Sequence, residues 1–301
     1  MNNIIFNNKK ENFSYKESIK ICYKIINTNY ENFPIYMFFL NKKLMDDFAS
    51  IYAFSRCIDY IGDELEANKV IDGFEIWESE LNLAYKGKAT NPIFIALEKT
   101  IKKHNLSKTP FKKLIKANLI DQNKKKYKNL DELMYYCDHS ANPVGEIVLN
   151  ILGYKEKSVV ELSNKICSAL QITNFIQDIE IDQKKNRTYV PQNLLKKHKV
   201  DFAKVNNYKT INDKFKENLE QLIDELVDIN KKLYEEGEKL ISFLNKRDSL
   251  IIQIFIRSGE SILKKIEKRK VNIFFKKPKT NSFEKIIIII KSIFKTYLYI
   301  N

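Results

Sequence analysis

Apolar residues recur at helical rather than strand spacing through most of the chain. In DFASIYAFSRCIDYIGDELE, Ile51, Phe54, Ile58, Ile61 and Leu65 take one side of a helix expected from about Lys42 to Glu66. Tyr52, Arg56, Asp59 and Asp63 run down another side by steps of four, three and four. Before it, Ser14 is placed to cap a helix ending near Asn27, after a polar arm over 1–13. After it, the pattern predicts helices around Phe74 to Tyr85, from Asn91 to His104 and from Pro110 onward. Asn142-Pro143 reads as an N-cap followed by proline at the first helical position. A helix starting near Ser158 carries Gln171 to Asp182, and Arg187 to Pro191 forms a turn into a short helix. Two long helices follow, Ile211 to Phe243 and Arg247 to Phe275, and 281–301 forms an amphipathic C-terminal helix.

With only 7 Gly and 6 Pro and no sustained alternating runs, these elements predict an all-α fold. No glycine fingerprint supports a Rossmann or P-loop reading. No boundary interrupts the pattern, so residues 1–301 are expected to form one domain, a helical bundle around a central cavity, and 44% hydrophobic content suffices for its core.

The formal net charge is +14, which favours anionic partners, although heavy use of Lys, Asn and Ile accounts for it equally well. Ten Lys against one Asp between Lys102 and Lys128 lack interleaved stacking aromatics, so a solvated face is expected and no nucleic acid. The tail FEKIIIIIKSIFKTYLYI is too short and charged to span a bilayer. It either packs on the domain or, with the basic run Lys264 to Lys279, turns toward a membrane surface. Four scattered cysteines without a CxxC pair read as ordinary reduced thiols. Without an apolar leader or membrane span, a cytoplasmic protein is expected, with peripheral attachment to the inner face of the membrane as an option.

The chemistry concentrates in QITNFIQDIEIDQKKNRTY, residues 171–189. On a helix, Gln171, Asn174, Asp178 and Asp182 share one face, and the two carboxylates one turn apart repel unless a cation sits between them. Asp59 and Asp63 repeat the DxxxD spacing. If the two faces pack together, the four carboxylates can hold Mg²⁺, which favours carboxylate and phosphate oxygens, and a diphosphate bridges such ions. Arg56, Arg187, Lys184 and Lys185 can add charge-assisted hydrogen bonds. A carbocation formed there needs a dry aromatic wall, for which Tyr52, Tyr189 and the residues around Tyr30 and Phe33 are suited. The simpler alternative is that the carboxylates pair with the many lysines and the aromatics fill the core.

IYAFSRCIDYIGDE at 51–64 and ALQITNFIQDIEIDQKKNRTYVPQ at 169–192 resemble the two aspartate-rich motifs of the squalene and phytoene synthase family. NYENFPI, SANPVGEIVLNILGY, NFIQD and IEKRKVNIFFKKPK are similar to its hydroxysqualene synthase branch. The resemblance implies an isoprenoid-synthase-like bundle and conversion of presqualene diphosphate and water to hydroxysqualene and diphosphate in squalene or hopanoid biosynthesis. It implies Mg²⁺ and no NADPH. Carried over by motif, Asp59, Asp63, Asp178 and Asp182 would hold Mg²⁺, with Asn174 a further contact, and Arg56 and Arg187 would meet diphosphate. Tyr52 and Tyr189 would border the reacting carbons; Tyr30, Phe33, Gln171 and Gln177 would face substrate. Three positions depart from what the family often shows: Tyr60 for a second Asp, Asn29 for a His, and Gln177 where condensing relatives carry Arg, the last agreeing with the hydroxysqualene branch. Two other readings stay open. One is a head-to-head prenyl transferase using farnesyl diphosphate to make presqualene diphosphate, squalene or a carotenoid precursor; the other is a non-enzymatic basic scaffold that binds membranes.

Overall fold

Short polar side chains sit where helices begin, because the first backbone amides of a helix have no partner within it. The Ser14 hydroxyl accepts from the Glu17 amide at 3.3 Å, while the Ser14 amide donates to the Glu17 carboxylate at 2.8 Å, a reciprocal capping box. The side-chain oxygens of Asn91, Asn129, Asn212 and Asn245 accept from first-turn amides of four later helices. The computed structural model describes residues 1–6, 12–28, 42–202, 212–274 and 276–298.

Its helices are α1 (Asn2–Phe6), α2 (Tyr15–Thr28), α3 (Lys42–Asp63), α4 (Val70–Ala84), α5 (Pro92–His104), α6 (Thr109–Asn123) and α7 (Leu130–Ser140). They continue as α8 (Asn142–Leu152), α9 (Lys157–Gln177), α10 (Ile179–Lys184), α11 (Gln192–Lys197), α12 (Asp213–Glu238), α13 (Lys246–Arg269) and α14 (Ser282–Leu298). Among the described residues, three short 3₁₀ segments supplement them. Among the described residues there is no strand, only an isolated bridge between Lys126 and Thr188. The expected all-α class holds. No helix among the described residues is long and apolar enough to cross a membrane.

The chain divides into two compact units. The first comprises Met1–Asn123 with Glu146–Lys155, the second Lys124–Gly145 with Glu156–Asn301. In the first, α2, α3 and α5 pack on one another around Trp77, whose ring meets Phe94 at 4.6 Å between centroids, and Phe54 meets Phe111 at 5.2 Å. The N-terminal arm differs from expectation. Ile5 is fully buried in this core and the Ile4 carbonyl accepts from the Asn91 side chain at 2.6 Å, so apolar residues hidden among asparagines form α1 and dock it.

In the second unit α9, α12 and α13 pack together, and α14 lies on α13. Leu219, Leu222, Ile223, Leu226, Val227 and Tyr234 form the buried stripe of α12 at the expected helical spacing. The expected N-cap role of Asn142 is not seen; α8 already includes it, and its side-chain oxygen accepts from the Ser168 hydroxyl at 2.9 Å. No cysteine forms a disulfide, and burial pushes the Cys57 and Cys137 thiols up to about 12, so both stay protonated near neutral pH.

Candidate active site

The first acidic row lies at the C-terminal end of α3. Asp59 and Asp63 are exposed, one turn apart, and Tyr52 and Arg56 continue the same face, partly buried. The Arg56 guanidinium donates to the Glu64 carboxylate at 2.5 Å, an acceptor just past the helix that the spacing did not single out. Gly62, between the two aspartates, lets α6 come close: a Cβ there would meet the Asn118 side-chain oxygen at 2.6 Å. The Gln122 amide donates to the Gly62 carbonyl at 3.0 Å and fixes the end of the row.

The second row is less regular than the spacing predicts. Gln171 is half-buried and Asn174 is exposed on α9, but the helix stops at Gln177. Asp178 sits at the junction with φ −107° and ψ 11°, and α10 carries Asp182. The single continuous helix expected through Asp182 is thus corrected to two helices. Backbone bonds still bridge the junction, from the Asp178 amide to the Asn174 carbonyl and from the Asp182 amide to the Asp178 carbonyl, each 2.9 Å. Asn174, Asp178 and Asp182 therefore keep their successive order across the break.

Two contacts hold that junction from far along the chain. The Lys277 ammonium forms an ion pair with Asp178, and the Gln177 side-chain amide donates to the Pro278 carbonyl. The segment carrying them is tied to α13 and α14: Lys265 donates to the Lys279 carbonyl and to Glu284, both at 2.6 Å. Lys277 is the site residue that the spacing missed. It lay within a run of lysines, and only the fold separates it from its neighbours.

After α10 the chain turns through Asn186, which takes a left-handed φ of 55°. The Asp182 carbonyl accepts from the Lys185 and Arg187 amides at 3.0 and 2.9 Å, so Arg187 is folded back beside the second acidic row. The Thr188 amide then donates to the Lys125 carbonyl at 2.8 Å, and Tyr189 enters an aromatic cluster. Its ring stacks on Phe175 at 4.0 Å and 7°, with Tyr127 and Tyr136 within 5.6 Å. Only 7% of Tyr189 is exposed, so it is first a packed residue, next to the helix bearing Asn174. Tyr30 and Phe33 lie outside the described residues.

Each row offers hard oxygen donors at adjacent helical turns, the chemistry that suits Mg²⁺. No cluster of three or more His, Cys, Asp or Glu suited to a metal occurs among the described residues.

The chain belongs to the squalene/phytoene synthase family, whose pattern matches residues 26–284. Among solved structures it is similar to squalene synthase HpnC from Alicyclobacillus acidocaldarius, with 33% identity and a TM-score of 0.79 over 85% of this chain and 95% of that one. It is 31% identical to a hydroxysqualene synthase of Zymomonas mobilis over 55% of this chain and 56% of the relative. A chloroplastic phytoene synthase of an Oncidium hybrid is 24% identical over 80% of this chain and 59% of the relative. The chain thus spans little more than half the length of the curated relatives it matches. A dehydrosqualene synthase shares the fold, with a TM-score of 0.84 over 95% of this chain and 98% of that one at 22% identity.

Proposed function

We propose that the protein converts presqualene diphosphate and water to hydroxysqualene and diphosphate in a Mg²⁺-dependent reaction of squalene or hopanoid biosynthesis. The observation that carries the choice of reaction is Gln177. Where the sequence resemblance leads one to expect Arg in condensing relatives, this chain has a neutral amide, and that amide is committed to the Pro278 carbonyl. The position supplies no cation for a second diphosphate. The identity to hydroxysqualene synthases, 31% and 29%, supports the same reading.

In this reaction the carbon–oxygen bond breaks with its electron pair leaving on diphosphate. After rearrangement, a water oxygen bonds to the allylic carbon and loses a proton. Asp59, Asp63, Asp178 and Asp182 would hold Mg²⁺, with Asn174 as a neutral oxygen donor. When bound, the metal supplies charge neutralisation for the departing diphosphate. Arg56 and Arg187 donate charge-assisted hydrogen bonds to phosphate oxygens, which requires Arg56 to leave Glu64. Tyr52 and Tyr189 would each limit the access of water to the cation, the Tyr189 ring being held by its stack on Phe175. Gln171, half-buried on the same helix face, orients substrate.

A second reading, a head-to-head prenyl transferase acting on two farnesyl or longer prenyl diphosphates, is favoured by the larger share of this chain matched by phytoene synthases, 80% against 55%. Incubating the purified protein with Mg²⁺ and either presqualene diphosphate or farnesyl diphosphate separates them. Hydroxysqualene from presqualene diphosphate, with farnesyl diphosphate unchanged, is expected. A C30 product from farnesyl diphosphate alone overturns the proposal in favour of the transferase.

A further inference from the structure

Helix α14 is amphipathic in the inverse sense for a surface helix. The side facing α13 buries Ile288, Ser292 and Thr296, and the Gln253 amide donates to the Thr296 hydroxyl at 2.8 Å. The outer side carries Phe283, Ile286, Ile290, Ile293, Phe294 and Tyr297, each between 38% and 70% exposed. These are six of the eleven large hydrophobic residues exposed among the described residues. They fall within an arc of about 100° and a length of about 21 Å on a regular α-helix, one continuous stripe rather than scattered apolar positions. Such a patch marks an interaction surface.

The helix is held in place. Asn281 caps it by accepting from the Glu284 amide at 2.8 Å; Glu284 pairs with Lys265 at 2.6 Å, and Lys295 pairs with Glu238 at 2.5 Å. The stripe is therefore displayed on a docked element.

Charge selects the occupant. Glu284 is the sole acidic residue of α14 and is already paired, while Lys285 and Lys291 have no ionic partner among the described residues. Lys276 and Lys279 add further positive charge just before the helix. A second copy of this chain would set these lysines against their equivalents, in a molecule with net charge +14. An anionic bilayer surface presents the opposite charge and an apolar layer at the depth that the stripe can reach. Tyr297, with an apolar ring and a polar hydroxyl, suits the headgroup boundary. No helix among the described residues is long and apolar enough to span, so the contact is along the surface. We propose that the outer face of α14 docks the protein on anionic lipid bilayers, the stripe inserted among acyl chains and Lys285 and Lys291 among the headgroups. This holds whichever reaction the site performs.

Co-sedimentation of the full chain with vesicles of phosphatidylcholine, with and without phosphatidylglycerol, tests it. Binding is expected to phosphatidylglycerol-containing vesicles and to weaken with salt. The combined change Ile286→Ser, Ile290→Ser and Phe294→Ser lowers binding roughly tenfold or more with unchanged helicity by circular dichroism. Lys285→Glu with Lys291→Glu removes the preference for phosphatidylglycerol and leaves the apolar stripe intact. The proposal is overturned if the wild-type chain does not bind vesicles, or if both variants bind as it does. It is equally overturned if light scattering finds a vesicle-free dimer that the serine variant converts to monomer, since the face then belongs to a second copy.

Discussion

Asp178 ends one helix, precedes another and is paired with Lys277, far along the chain. An ammonium beside a carboxylate competes with any metal for that carboxylate, and both partners are partly exposed, so the competition costs little to reverse. Lys277→Ala is accordingly expected to lower the Mg²⁺ concentration needed for half-saturation, read by titration calorimetry in the presence of diphosphate. An unchanged or higher requirement would show that Lys277 does not oppose the metal. Asp59→Asn and Asp178→Asn are expected to cut turnover by roughly 10² to 10³, the size of loss seen when one stabiliser of a developing anion is removed. The melting temperature should move by no more than about 3 °C, because Asp59 is exposed and the Asp178–Lys277 pair partly exposed, where charges contribute about 1 kcal/mol or less. A large drop in melting temperature would mark these carboxylates as structural.

At the scale of elements, the aspartate spacing was readable because a helix repeats every 3.6 residues, and Ser14 was readable as a cap because capping is local; that Glu17 completes a capping box came only with the structure. The break at Asp178 was not. No proline or glycine stands there, and the residues that hold the junction, Lys277 and Pro278, are remote in sequence. Lys277 could be recognised in the sequence as basic, but its partner could not.

Helix packing beneath the second row gives a further test. A Cβ at Gly259 of α13 would lie 2.0 Å from the Tyr234 hydroxyl, which bonds the Thr173 hydroxyl at 3.0 Å, one residue before Asn174. Gly259→Ala must displace that ring and is expected to destabilise by about 1–3 kcal/mol in urea unfolding. A neutral effect would mean that α12 and α13 part easily at this crossing.

Between α11 and α12, Glu225 accepts from Lys197 at 2.7 Å and from His198 at 2.5 Å. The Lys197 and His198 hydrogen bonds hold its carboxyl below the ordinary carboxylate range, against the opposing effect of burial. A lowered carboxyl contributes stability above that range and loses it as pH falls through the depressed value. Urea midpoints should therefore decline as pH is taken down through and below the ordinary carboxylate range, and Glu225→Gln should flatten that decline. An identical acid profile in the variant would remove Glu225 from the account.

For the whole molecule, the helical class followed from few breakers and long amphipathic stretches; the first acidic row stands near the end of its helix, and the second is split between two helices where one was expected. Apolar residues scattered among polar ones were harder to read. Ile5 belongs to a three-residue apolar stretch between pairs of asparagines and yet is fully buried, since one docked turn suffices to hide it. Tyr189 was expected to border reacting carbons from its place after Arg187; the fold adds that Phe175 already covers one side of its ring.

The central claim is that water captures a carbocation after diphosphate leaves. Turnover of presqualene diphosphate in ¹⁸O-labelled water with Mg²⁺, followed by mass spectrometry of both products, tests it most directly. The account predicts hydroxysqualene carrying one ¹⁸O and diphosphate carrying none, with both products lost in Asp178→Asn. Label in the diphosphate and an unlabelled alcohol, or no alcohol at all, would contradict it.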